Sequence, residues 1–226
     1  MRVQRCFSFI DLSGFTALTE SEGDERAVRV LTTFRQLVRD ICSRRGVRIA
    51  KWLGDGAMLV GVENGPVVAA ALELQLAAAG SDSITVSCGI TAGEVILLEG
   101  DDYIGHCVNV AARLCDMAAG GEVLADSGAL TGLPPWGAVL DREERAIRGL
   151  EQPVTAARLG LRLLEGTVVD DPVCGIPLTR EVAPEQLRDR VGNEVWFCSD
   201  SCRDTWERRP APAEDDQGSL RSPLIG

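Results

Sequence analysis

The stretch VRIAKWLGDGAMLVGV, residues 47–62, sets two runs of strand character on either side of Gly54-Asp55-Gly56. Two glycines around an acid in so short a link supply the backbone freedom of a tight hairpin, and a hairpin makes its strands antiparallel. A chain built around such a unit is not a purely parallel, doubly wound sheet. The turn also carries a carboxylate at its tip.

The flanking segments extend this reading. RCFSFID (5–11) is a short apolar run, rich in aromatics and closed by Asp11, which suits a central strand whose tip reaches a site. From Asp24 to Ser43 the apolar residues Ala27, Val30, Leu31, Phe34, Leu37, Val38 and Ile41 recur at three and four, predicting a core-facing helix with Ser21 and Asp24 as candidate caps. Residues 65–79, dominated by Val, Ala and Leu, predict a buried helix starting near Pro66. In SITVSCGITAGEVILLEG (83–100) the alternation at Ile84, Val86, Cys88 and Ile90 and the break at Gly93-Glu94 predict a second hairpin. In DDYIGHCVNVAARLCDM (101–117), Val108, Ala111, Ala112 and Cys115 mark a helix with one buried stripe, which sets Asn109 and Arg113 together on an adjoining face.

Hairpins mixed with helices predict an α+β fold, with a largely antiparallel sheet covered by helices, over residues 1–160. A connector (161–169), a small cysteine-containing module (170–210) and a tail of disordered composition (211–226) follow. Aromatics are only 4% of the chain, so the core should be aliphatic. The net charge of -11 opposes non-specific binding to nucleic acid or to an anionic membrane, and an anionic substrate would have to be received by metal ions or a local basic cluster. No apolar run approaches the roughly 20 residues of a bilayer span, and the N-terminus does not read as a signal peptide. A cytoplasmic protein is the default expectation, in which the eight cysteines are mostly reduced and used for packing, metal binding or reactivity.

If the strands of Asp11 and Asp55 are neighbours, their carboxylates converge, and paired carboxylates bind hard divalent cations through oxygen. The plainer alternative is a solvated acid in a glycine-flanked turn. FSFIDLSGFT (7–16), KWLGDGAMLV (51–60) and DDYIGHCVNVAARL (101–114) together resemble the class III nucleotide cyclase catalytic domain, most closely its adenylate cyclases, over roughly residues 5–160. The resemblance implies that Asp11 and Asp55 hold two magnesium or manganese ions, that Lys51 and Asp102 read the purine, that Asn109 orients the ribose, and that Arg113 stabilises charge on the phosphorus. It further implies a head-to-tail homodimer whose sites take the aspartates from one chain and Asn109 and Arg113 from the other. His106, the chain's single histidine, reads as a capping or surface residue.

DPVCGIPL and NEVWFCSDSCRDTWERRP place Cys174 twenty-four residues before Cys198, and Cys198 four before Cys202. A turn cysteine and a CxxxC with both thiols on one face of a short helix can gather thiolates around one zinc or other transition metal, with Asp171, Asp200, water or a partner's residue as fourth ligand. This segment resembles the YHS domain of the TRASH-like metal-binding group. The cyclase resemblance implies conversion of ATP to cyclic AMP and pyrophosphate, with the C-terminal module as a candidate modulator. A guanylate cyclase, or a metal sensor whose cyclase domain binds nucleotide without turnover, are the alternatives.

Overall fold

A computed structural model describes residues 1–81, 84–98, 102–147, 149–189 and 192–208. Its centre is β1 (Arg2–Leu12), which pairs antiparallel with β3 (Gly56–Gly61) on one side and β4 (Val86–Leu97) on the other. β2 (Arg48–Leu53) completes the Gly54-Asp55-Gly56 hairpin with β3. Beyond β4 come β6 (Val123–Asp126), β8 (Val154–Leu161) and β7 (Gly137–Arg145), giving the order β2-β3-β1-β4-β6-β8-β7, while the short β5 (Tyr103–Ile104) pairs with β4. All these pairings are antiparallel except β4 with β6.

Alternation along β1 sends its side chains to two cores, as strand geometry requires. Cys6 and Ile10 pack with α2 (Asp24–Arg45) and α3 (Asn64–Ala79) on one face, whereas Phe7 packs with Met58, Tyr103 and Cys107 on the other. α2 buries Ala27, Val30, Phe34, Val38 and Ile41, the stripe expected from its sequence. Asp24 and Glu25 in its first turn and Arg44 and Arg45 in its last suit the helix dipole. Gly46, at φ 67°, stops it in the left-handed conformation that glycine adopts without steric cost.

On the opposite face lies α4 (His106–Met117), drawn close to β4 at Gly89. A Cβ there would stand 2.2 Å from both the Ala111 carbonyl oxygen and the Cys115 nitrogen. The buried Thr91 hydroxyl donates to the Cys107 carbonyl at 2.7 Å, adding a second tie between strand and helix.

Three local expectations need correction. Gly93-Glu94 does not reverse the chain: β4 continues through Leu97, and reversal occurs further on, where Ile96 and Leu97 pair with Ile104 and Tyr103. Gly93 is small because a Cβ would meet that of Cys107 at 3.2 Å, a packing demand indistinguishable from a turn signal in the sequence. Ser21 does not cap α2; it lies inside an additional helix, α1 (Phe15–Glu22), its hydroxyl donating to the Ala17 carbonyl, and Gly23 occupies the α2 N-cap. Cys198 is not on a helix: it precedes Ser199, the N-cap of α5 (Asp200–Glu207).

The C-terminal segment comprises the pairs β9 (Val169–Asp170) with β10 (Pro177–Leu178) and β11 (Glu185–Arg188) with β12 (Glu194–Phe197), followed by α5. Its buried residues Ile176, Leu178, Phe197, Cys198 and Cys202 are continuous with the core of α2, α3 and β1. The segment therefore shares the core of the preceding fold. The tail expected at 211–226 lies outside the described residues.

Candidate active site and cysteine cluster

Asp11 stands at the end of β1, one residue after Ile10, which pairs with Ala57 of β3. That register puts the hairpin turn beside it, so Asp11 and Asp55 come together as their strand-tip positions predict. A Cβ on Gly56 would lie 2.7 Å from the Ile10 carbonyl oxygen and 2.9 Å from Asp11 Oδ1, so the turn fits against Asp11 only because this residue has no side chain. Burial raises the Asp11 pKa above the ordinary carboxylate range, and the negative charges of Asp55 and then Asp116 raise it further. Two crowded, half-buried carboxylates are an oxygen donor set whose repulsion a divalent cation relieves, and in this respect the residues fit magnesium or manganese.

α2 braces this turn. Arg35 donates from Nη2 to the Gly54 carbonyl at 2.9 Å, and the guanidinium groups of Arg35 and Arg39 lie 5.1 and 5.3 Å from the Trp52 ring centroid. Trp52 of β2 thus packs against the helix.

Lys51 and Asp102 are in direct contact: Nζ donates to Oδ1 at 2.7 Å, across 51 residues of sequence. The Tyr103 amide donates to the same oxygen at 3.0 Å, and the Tyr103 hydroxyl accepts from Arg48 at 2.5 Å. Lys51 first, then the Tyr103 amide, hold the Asp102 carboxyl below its usual range. Asn109 and Arg113 sit one turn apart on the exposed face of α4. Arg113 is bonded to Asp116 at 3.0 Å rather than to any of the other five site residues. His106 is the exposed first residue of α4, in keeping with a surface or end-of-helix role.

The second cluster forms where Asp171, Cys174, Cys198 and Cys202 meet, with one ligand atom from each lying within 4.8 Å of the others. Cys198 Sγ stands 3.4 Å from Cys174 Sγ and 3.6 Å from Cys202 Sγ. Sulfurs placed 2.3 Å from a central ion at tetrahedral angles are about 3.8 Å apart, so the spacing fits a zinc-type ion. Asp171 is the carboxylate at the cluster, whereas Asp200 is exposed and its Oδ1 accepts from the Ser201 amide. Asp171 also organises both cysteine-bearing loops, accepting from the amides of Val173 at 2.8 Å and Cys198 at 2.7 Å. Burial, followed by the nearness of Cys198, raises its pKa. Hydrogen bonds from Cys174 and then Cys198 pull the Cys202 thiol well below its ordinary value.

Sequence reasoning missed the cluster's other neighbour, Arg45. Its Nη2 donates to Cys198 Sγ at 3.1 Å and its Nη1 to Ser199 Oγ at 3.0 Å, while Nε donates to Glu73 Oε2 at 2.7 Å. Arg44 holds the other oxygen of Glu73, and Trp136 Nε1 donates to the Cys198 carbonyl at 3.1 Å. The signal was present only as a paired arginine at a helix end and a lone acid in an apolar helix.

No family model matches the sequence. In architecture the chain is similar to the guanylyl cyclase Cya2 (TM-score 0.64, 24% identity, covering 72% of this chain and 94% of that one). It is also similar to the adenylyl cyclase CyaB from P. aeruginosa (TM-score 0.59, 23% identity, 74% and 96% covered). The chain therefore carries the class III nucleotide cyclase catalytic fold. By sequence it is 37% identical over 152 residues to an uncharacterized protein of Mycobacterium tuberculosis, covering 67% of this chain and 40% of that protein. It is 32% identical over 120 residues to the adenylate cyclase of Streptomyces coelicolor, covering 53% of this chain and 31% of the relative. The chain thus spans less than half the length of these curated relatives.

Proposed function

We propose that the protein is an adenylate cyclase that converts ATP to 3',5'-cyclic AMP and pyrophosphate at the interface of a homodimer. The observation that carries this reading is the convergence of Asp11 and Asp55 at one end of the central strands of a cyclase-type sheet, with Lys51 already bonded to Asp102. The relatives named as adenylate cyclases support it.

In this reading residues 1–160 are the catalytic domain, 161–169 a connector and 170–210 a YHS-like metal-binding module. Asp11 and Asp55 hold the divalent ions; these supply charge neutralisation for the triphosphate and Lewis acidity at the reacting oxygens. Lys51 and Asp102 together offer a donor and an acceptor, the complement of adenine N1 and N6. Asn109 of the second copy orients the ribose so that its 3'-hydroxyl faces the α-phosphorus, and Arg113 of that copy balances the charge that develops there. The attack is intramolecular, so positioning and electrostatics carry most of the rate enhancement. Because Arg113 is paired with Asp116 in the single chain, substrate must draw it out of that pair. Asp171, Cys174, Cys198 and Cys202 form the second, zinc-type centre.

The test is cyclic nucleotide production by the purified protein given ATP or GTP with manganese, beside Asp55→Ala. Cyclic AMP from ATP, lost in the variant, is the expected result. Product from GTP alone would make it a guanylate cyclase. Nucleotide binding without product, at a concentration where the dimer is demonstrated, would favour a sensor.

A further inference from the structure

α2 touches both centres. At its C-terminal end Arg45, whose side chain is 3% exposed, donates to Cys198 Sγ, to Ser199 Oγ and to Glu73. Ten residues earlier on the same helix, Arg35 donates to the carbonyl of Gly54, the residue before Asp55. Ten residues of α-helix span about 15 Å, and its hydrogen-bonded backbone transmits displacement with little bending.

From this arrangement we infer that α2 mechanically couples the cysteine cluster to the Asp55 turn, with Arg45 as the positioning residue at the cluster and Arg35 at the turn. The inference deepens the proposed function, resting on the cyclase reading for the importance of the turn and on the metal reading only for zinc as a probe.

Arg45 is suited to this role because its partners lie on separate pieces of the chain, α3 and the two cysteine-bearing loops. A buried guanidinium must have its donors satisfied, and here they are divided between α3, through Glu73, and the cysteine loops, through Cys198 and Ser199. Trp136 closes the arrangement, with the Arg45 guanidinium 5.8 Å from its ring centroid and its own indole N–H on the Cys198 carbonyl. Cys198 Sγ accepts from Nη2 at 3.1 Å, so the cysteine loop and the end of α2 are tied directly to each other. Loss of the Cys198 sulfur takes from Nη2 its tie to that loop and leaves it Glu73 and the longer approach to Cys174 Sγ at 3.7 Å, so the helix end re-settles on those acceptors. Glu73, with a 2% exposed side chain and held by both Arg44 and Arg45, prevents the arginine from turning out to water. The shift is therefore carried along α2 towards Arg35 and the turn.

The experiment is hydrogen–deuterium exchange on the full chain, with zinc and with chelator, for the wild type, Arg35→Gln and Cys198→Ala. In the wild type, zinc should slow exchange severalfold at residues 53–57 as well as around the cysteines. In Arg35→Gln, zinc should protect the cysteine segment as before but leave 53–57 unaffected. Without metal, Cys198→Ala, which removes the acceptor, should speed exchange at 53–57 relative to the wild type. Leu159→Ala in β8, matched in overall destabilisation, should not single out that turn. Protection confined to the cysteine segment in the wild type, together with an unchanged turn in Cys198→Ala, overturns the coupling. Cobalt(II) charge-transfer absorption reports separately on metal uptake. If uptake fails, the metal reading is lost, and the Cys198→Ala comparison still decides the coupling.

Discussion

Gly56 lies so close to Asp11 that its missing side chain is part of the site: a Cβ would fall 2.9 Å from the Asp11 carboxylate oxygen and 2.7 Å from the Ile10 carbonyl oxygen. Gly56→Ala should force the turn and Asp11 apart. The overpacking is expected to cost about 1–3 kcal/mol of stability. A displacement on the order of 1 Å between the carboxylates should lower turnover about 100-fold. Manganese titration and cyclic nucleotide assay check both; a folded variant with unchanged turnover would show that the spacing is not critical.

The Lys51–Asp102 pair is exposed and contributes little to stability, so its substitution isolates recognition. Lys51→Ala should leave the melting temperature nearly unchanged while lowering the ATP-over-GTP preference in kcat/KM by about tenfold or more. Equal losses for both nucleotides would remove Lys51 from base reading.

In metal-free protein the stabilising contribution of Asp11 should be lost as pH rises out of the acid range. The folded pKa of Asp11 is raised, so the native chain holds a proton that the unfolded chain, with a pKa of about 3.9, has already released. The contribution of Asp11 to stability is then fully present below that unfolded value, falls as pH rises towards the raised folded value, and levels off above it. Asp55→Asn removes one contributor but leaves the larger effect of burial, so its melting profile in chelator should fall less steeply. Superimposable profiles for the two proteins would contradict the proximity of these carboxylates.

Shared sites have a consequence for mixtures. Asp55→Ala and Arg113→Ala should each be inactive, yet half the dimers in an equal mixture are mixed and carry one intact site of two. Activity should recover to roughly a quarter of the wild-type level. No recovery, with exchange of subunits demonstrated, would place all the groups within one chain.

The contact of α4 with β4 is similarly intolerant. Gly89→Ala places a methyl carbon 2.2 Å from backbone atoms of Ala111 and Cys115, with no flexible side chain able to yield. A loss of about 3 kcal/mol or more is expected in denaturant unfolding, at the upper end for point substitutions.

The hairpin at Gly54-Asp55-Gly56 and the stripe of α2 were legible because each is written in consecutive residues: turn chemistry in one case, a three-and-four period in the other. Gly93 and Gly89 look alike in the sequence, yet neither marks a turn, since their demand comes from a helix more than a dozen residues away. The cysteines announced themselves by spacing, and Asp171 was among the candidate ligands. Nothing near Arg45 or Glu73 pointed to Cys198, because that contact spans 153 residues and depends on how two separately readable segments dock. Local pattern identifies elements and chemical groups; the pairing of distant groups arises from packing.

The position of Trp136 has a bearing on synthesis. Its indole N–H and one face of Arg45 are satisfied by residues that leave the ribosome some sixty positions later. For that interval the nascent cyclase fold presents an unsealed apolar seam beside a buried charge, the kind of surface that recruits chaperones or neighbouring chains. The cysteine segment thus closes the fold after the sheet has been made, and a chain truncated before it should be the more aggregation-prone form.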